Sequence, residues 1–213
     1  MDNGFLFVTA VNDEELYQQL QDSVLMANND EFNVDFHPIY GAKSLTKAYN
    51  EAAFKPHKYK VYVHQDVEII NPNFFKDVKS IFRSKKVGMI GVAGAKKLPK
   101  SCVWWEAEQL FGQVVEDRGS RNLLKFAEPE EKYEKVQAID GLIMITQYDV
   151  KWDEQIPGFH FYDISQSVRF QQEGYLVVVP KQEEVWCLHK CGNDFDSVSY
   201  LKTRDIFKNS YGK

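Results

Sequence analysis

Three places in the chain carry residues that could do chemistry. The first is His64-Gln65-Asp66-Val67-Glu68, the densest polar cluster at the end of any apolar run. Carboxylates at a strand end can hold a divalent cation, and the cation can neutralise a diphosphate. A solvated turn is the more ordinary occupant of such a place, because Asp is frequent there. The second is Asp163, within Gly158-Phe159-His160-Phe161-Tyr162-Asp163-Ile164-Ser165. An aspartate among aromatics at a helix start can serve as a general base. It can equally cap the helix, with Gln166 completing a capping box, and the two roles are compatible. The third is Trp186-Cys187-Leu188-His189-Lys190-Cys191-Gly192. Cys187, His189 and Cys191 admit a zinc reading, but the alternate spacing and the lack of a CxxC pair make it a weak one. A lone histidine is more often a hydrogen-bonded structural residue. Trp104-Trp105 could stack on a sugar ring or pack in a core.

The elements that must position these residues alternate. Gly4 to Ala10 is a continuous apolar run, as in a strand buried on both faces. Asn12, with Glu15 three residues on, predicts a helix start, and Leu16, Leu20 and Val24 give that helix one apolar face. Phe32 to Tyr40 reads as a strand, Gly41 to Ser44 as a loop, Leu45 to Phe54 as a helix and Tyr59 to Gln65 as a third strand. Asn71-Pro72 opens a helix with Phe74, Phe75, Val78, Ile81 and Phe82 as its buried stripe, before a strand at Val87 to Ala93. Strand and helix alternating in this way predict a parallel sheet with helices on both faces. A hairpin is expected at Asp117-Arg118-Gly119-Ser120. Glu128 to Lys135 reads as a solvated stretch, and Val136 to Thr146 as a strand broken at Asp140-Gly141. A helix over Asp163 to Glu173 stops at Gly174, Tyr175 to Val179 is a strand, and Asp194 to Tyr211 a terminal helix.

Composition bounds the function. The chain has 213 residues, 44% hydrophobic, 27% charged and 14% aromatic, which suits one globular domain over residues 1–213. A net charge of −5 argues against a nucleic-acid partner held by phosphate contacts. No apolar run approaches the ~20 residues that span a bilayer. Met1-Asp2-Asn3-Gly4 lacks the positive flank of a signal peptide, and three cysteines fit a reducing cytosol, so a cytoplasmic location is expected. GxGxxG, GxxxxGK[ST] and GxSxG are all absent, which counts against a dinucleotide site, a P-loop and a nucleophile elbow. Ligands of open parallel sheets bind beyond the carboxyl ends of the strands. Asn12, the loop Gly41 to Ser44, His64 to Glu68 and Asp140-Gly141 would gather there.

In this order the segments resemble GT-A fold glycosyltransferases, in particular the family 2-like group of bacterial proteins of capsule and surface-polysaccharide synthesis. Phe7-Val8-Thr9-Ala10-Val11-Asn12 resembles the opening strand, whose end contacts the nucleotide base. Ser44 to Ala52, containing Asn50, looks like the family's "G-s-x-x-x-x-N-x-a" helix. His64-Gln65-Asp66 stands where the family has DxD, with Asp66 at the metal-binding carboxylate and His64 at the ribose-facing one. Asp66-Val67-Glu68 is a second, weaker DxE reading. Ile139-Asp140-Gly141 resembles the acceptor-side strand, Trp152 to Asp163 the segment bearing the base, and His189-Lys190-Cys191-Gly192 the late "H-x-x-G" element.

The resemblance implies a Rossmann-like, mostly parallel sheet with helices on both faces and a small additional hairpin. It implies sugar transfer from a nucleotide-diphosphate donor, UDP-linked, to a saccharide or other acceptor hydroxyl, with inversion. Asp66 would bind Mn²⁺ or Mg²⁺, with His189 as a further ligand, and Asp163 would be the general base. Ala10, Asn12, Asn50, His64 and Gln65 would hold the nucleotide, and Asp140 and Gly141 the sugar. Trp104, Trp105 and His160 would meet the acceptor. An inactive nucleotide-sugar or carbohydrate-binding module is the alternative that the altered DxD allows. A nucleotidyltransferase is a further one, disfavoured by the acidic exit Val11-Asn12-Asp13-Glu14-Glu15. Phe195, Tyr200, Phe207 and Tyr211 would pack on a second chain, on a membrane surface or on their own domain.

Overall fold

The computed structural model describes residues 2–53, 55–192 and 195–212. The expected helix end at Phe54 and helix start at Asp194 lie outside these residues, as does Met1. Strand β1 (Asp2–Val11) carries Phe5, Leu6, Phe7 and Val8, all buried, so both its faces are covered as its unbroken apolar run requires. Helix α1 (Glu14–Asn28) follows. Its cap is Asp13 rather than Asn12: the Asp13 carboxylate accepts from the backbone N–H of Glu15 at 3.0 Å and of Leu16 at 3.1 Å. The helix buries Tyr17, Leu20, Val24 and Asn28, which leaves Leu16 at the margin.

The chain continues through β2 (Val34–Tyr40), α2 (Leu45–Ala52), β3 (His57–Val63), β4 (Val67–Ile69) and α3 (Phe74–Ile81). Helix α3 starts after Asn73 rather than at Pro72, because the Asn71 side chain folds onto the backbone N–H of Asn73 at 2.8 Å and delays the helix. Next come β5 (Val87–Gly91), β6 (Ala93–Ala95), β7 (Leu110–Asp117) and β8 (Arg121–Lys125). The hairpin expected at Asp117 to Ser120 is the antiparallel β7–β8 pair. Glu128 to Lys135 is not wholly a solvated loop: Tyr133–Lys135 forms β9, an edge strand on β12. Then follow β10 (Ala138–Ile139), β11 (Ile143–Thr146), α4 (Tyr162–Gln172), β12 (Leu176–Pro180), β13 (Cys187–Lys190) and α5 (Ser197–Tyr211).

The main sheet has seven strands in the order β2-β1-β3-β11-β5-β12-β9. Strands β1, β2, β3, β5 and β12 run one way, while β11 and β9 run against them. The sheet is thus mostly parallel, with a reversed strand at its centre. A second sheet runs β10-β6-β7-β13-β4, with β8 paired to β7. Its β13–β4 ladder places His189 opposite Val67, beside the exit of β3.

Candidate active site

The exits of β1 and β3 are tied together by Gln65. Its Oε1 accepts from the backbone N–H of Asn12 at 2.8 Å and of Asp13 at 3.0 Å, and its amide N–H meets the Asn12 side chain. Beside this tie lies a cleft of about 260 Å³, lined in part by Ala10, Asn12, Gly41, His64, Gln65 and Asp66. Tyr49 and Phe159, which the sequence did not single out, line it too. Asn50 is placed elsewhere. Its side chain donates to Trp152 O at 3.2 Å and to Glu154 Oε1 at 2.9 Å, and accepts from Trp152 N–H at 2.9 Å. It is a clamp on the 152–154 loop and not a lining residue of the cleft.

At the mouth of β3, one ligand atom from each of His64, Asp66 and His189 lies within 4.8 Å of the others. His189 Nε2 is 3.4 Å from Asp66 Oδ2, and His64 Nδ1 is 4.0 Å from Asp66 Oδ1. Asp66 Oδ1 is buried with no hydrogen-bond partner. A carboxylate set between two imidazoles with one oxygen orphaned fits a cation, since burying that oxygen unpaired is costly. His64 therefore belongs to this group as well as to the cleft wall. Burial opposes the charged form of Asp66, but the hydrogen bond from His189 and the charge of His64 outweigh it and hold the carboxyl below its usual range. Burial also opposes charge on His189, yet Asp66 lifts it above its ordinary value, with smaller contributions from Asp140 and Glu116. His64 is pushed down by burial. Glu68 does not join the group, because it is paired with Lys190. Nor do Cys187 and Cys191 form a metal cluster with His189 among the described residues.

Asp163 sits in the first turn of α4, two residues past the cap position. The cap is Phe161, held at φ 59°, a left-handed conformation unusual for an aromatic residue. The capping reading of Asp163 is thus replaced by a place inside the helix. Its carboxylate is buried and accepts from the backbone N–H groups of Ile164 and Gly141. Burial first, and the Asp140 charge second, push it up to about 7. Asp140 in turn accepts from Leu142 N–H at 2.8 Å. Tyr162 joins the two groups: its hydroxyl stands 2.6 Å from His64 Nε2, and a Cβ added at Gly141 would meet that hydroxyl at 2.1 Å. The sequence offered no signal for Tyr162 beyond its place beside Asp163.

Trp104 and Trp105 part company. Trp104 is buried against Phe126 and is a core residue, not an acceptor contact. Trp105 is 45% exposed, with its ring 5.2 Å from that of Tyr200. His160 lies 5.3 Å from the same tyrosine and 5.8 Å from Phe195. Tyr200 and Phe207 pack on Phe161 at 4.9 Å and 5.5 Å, so those two aromatics of α5 close their own core.

A mostly parallel sheet with a reversed central strand, a second small sheet and a His-Asp-His cluster at a strand exit define a GT-A-type fold. The chain belongs to the glycosyltransferase-like family, whose profile matches residues 6–211. No curated protein matches it in sequence. Solved structures agree on the fold. The S. aureus TarS 1-349 structure superposes with a TM-score of 0.55 at 10% identity, over 88% of this chain and 60% of that one. GalNAc-T7, solved with UDP, GalNAc and Mn²⁺, gives 0.58 at 9% identity, over 97% of this chain and 48% of that one. A mutant Drosophila beta-1,4-galactosyltransferase 7, solved with manganese, UDP-Gal and xylobiose, gives 0.55 at 10% identity, over 94% and 79%. The chain thus spans only 60% and 48% of the first two.

Proposed function

We propose that residues 1–213 act as one catalytic domain that transfers a sugar from a UDP-linked donor to an acceptor hydroxyl with inversion. The observation that carries this reading is the convergence of His64, Asp66 and His189 beside the cleft, with one Asp66 oxygen buried and unpartnered. Two imidazoles and one carboxylate suit Mn²⁺ better than Mg²⁺, which prefers oxygen ligands. A divalent cation there offsets the charge that builds on a leaving diphosphate. Ala10, Asn12 and Gln65 hold the base and ribose at the tied strand exits. Asp140 and Gly141 shape the space for the sugar.

Asp163 takes the proton from the attacking hydroxyl. A buried carboxylate raised to about 7 is matched to that task near neutral pH, and direct displacement needs one such base. Trp105 and His160 offer exposed or half-buried aromatic faces to the acceptor. A saccharide acceptor, a bacterial surface-polysaccharide setting and a cytoplasmic location belong to the same reading. Calorimetric titration with UDP, and with GDP as control, in Mn²⁺ and then in EDTA tests it. Metal-dependent binding selective for UDP is expected. No binding of either nucleotide to folded protein would overturn the reading in favour of a non-catalytic domain.

A further inference from the structure

His189 is the one member of the cation group that comes from the second sheet, and a chain of contacts runs behind its ring. The far nitrogen, Nδ1, lies 3.3 Å from Cys191 Sγ, and Sγ lies 3.8 Å from Glu116 Oε1. Glu116 is the β7 residue in register with His189 in the parallel β13–β7 ladder. Arg118, in the hairpin turn, braces both ends of the chain: one guanidinium nitrogen stands 3.7 Å from Glu116 Oε1, and the other donates to Gly192 O at 3.3 Å.

A thiol has one proton, and a carboxylate only accepts. The Cys191 thiol can donate to Glu116 Oε1, to the backbone oxygen of His189 at 3.5 Å or to His189 Nδ1. With no cation present, Nε2 is the nitrogen that donates to Asp66, whose Oδ2 stands 3.4 Å away. A cation that takes Nε2 displaces that proton, and a neutral imidazole then carries its one proton on Nδ1. The Cys191 sulfur is placed to accept it once the thiol turns to Glu116.

We propose that Cys191 and Glu116 are positioning residues that support the Nδ1–H tautomer His189 must adopt when its Nε2 takes the cation, and that they aim Nε2 into the cation site. The proposal rests on the reading of His64, Asp66 and His189 as ligands. It also gives the β7–β8 hairpin a task in the site, since its first strand supplies Glu116 and its turn supplies Arg118.

The test uses the full chain, with Mn²⁺ titrated calorimetrically, alone and with UDP, into wild type, Cys191→Val, Cys191→Ser and Glu116→Gln. Hydrogen-bond partners behind a ligating histidine change metal affinity roughly 10–100-fold. Cys191→Val is expected to weaken Mn²⁺ by that factor, and Cys191→Ser, which keeps a donor and an acceptor, to restore most of it. Nitrogen-15 spectra recorded with diamagnetic Zn²⁺ in place of Mn²⁺ should show His189 protonated on Nδ1 in wild type and in Cys191→Ser. Equal Mn²⁺ affinity in wild type, Cys191→Val and Glu116→Gln, or a Zn²⁺-loaded wild-type His189 protonated on Nε2, overturns the positioning role alone. Wild type that takes up no Mn²⁺ with or without UDP overturns the cation reading and this proposal with it.

Discussion

Asp66 and Asp163 are both largely buried aspartates, yet their surroundings drive them apart. Asp66 faces two imidazoles, and their hydrogen bond and charge keep it ionised despite burial. Asp163 faces Asp140 and an aromatic wall, and burial with a like charge raises it to about 7. One environment suits holding positive charge, the other suits accepting a proton. Environment rather than residue type assigns the roles. Tyr162 is the boundary, with its hydroxyl on His64 and its backbone next to Asp163.

The sharpest way to break this comparison is Asp163→Asn. Removal of a general base is expected to slow transfer about 10²–10⁴-fold. Metal-dependent UDP binding, read by calorimetry, should stay intact, and normal turnover would remove Asp163 from the role. In wild type the transfer rate should climb as pH rises toward about 7 and level off above it. Stability should move the other way. The folded carboxyl titrates above its ordinary value of 3.8, so the folded state binds the extra proton, and stability is lost as pH rises from there to about 7. Urea melts across that window should show the loss in wild type and not in Asp163→Asn.

Asp66→Ala should come next, lowering UDP affinity in Mn²⁺ by at least about tenfold, or ~1.4 kcal/mol, to the level seen in EDTA. If UDP binds equally with and without metal in both proteins, the asymmetry between the two aspartates has no bearing on the donor. Gly141→Ala attacks the boundary, since its Cβ would meet the Tyr162 hydroxyl at 2.1 Å. Overpacking of this kind costs about 1–3 kcal/mol, measurable by urea denaturation. The smallest effect is expected for Asn50→Ala, about 1 kcal/mol of stability from lost hydrogen bonds, with UDP affinity unchanged. A weakened UDP affinity in that variant would return Asn50 to the nucleotide site.

Much of the main sheet was legible because its strands announce themselves as apolar runs with polar exits. β1, β3 and β11 lie within a few residues of the segments that the sequence marked, and so does the hairpin. Boundaries failed where a side chain competes for the backbone, as at Asn71 ahead of α3 and Asp13 ahead of α1. In the site, Asp66 and His189 are more than a hundred residues apart in sequence and meet only through the β13–β4 ladder. The resemblance paired them, and spacing alone could not. Burial separates Trp104 from Trp105, and a dipeptide carries no information about which ring faces inward. Asn50 fitted a motif, yet its hydrogen bonds go to a loop that local pattern does not connect to it.

The reversed strand β11 also constrains the order in which the chain can be assembled. Residues 143–146 fill the gap between β3 and β5, so until they leave the ribosome the strands on either side have open edges. A nascent chain cut between Gly91 and Ile143 keeps the apolar runs of β1, β3 and β5 but not the strand that joins them. Such fragments should aggregate rather than fold, and the N-terminal half cannot be expected to survive as a separate piece.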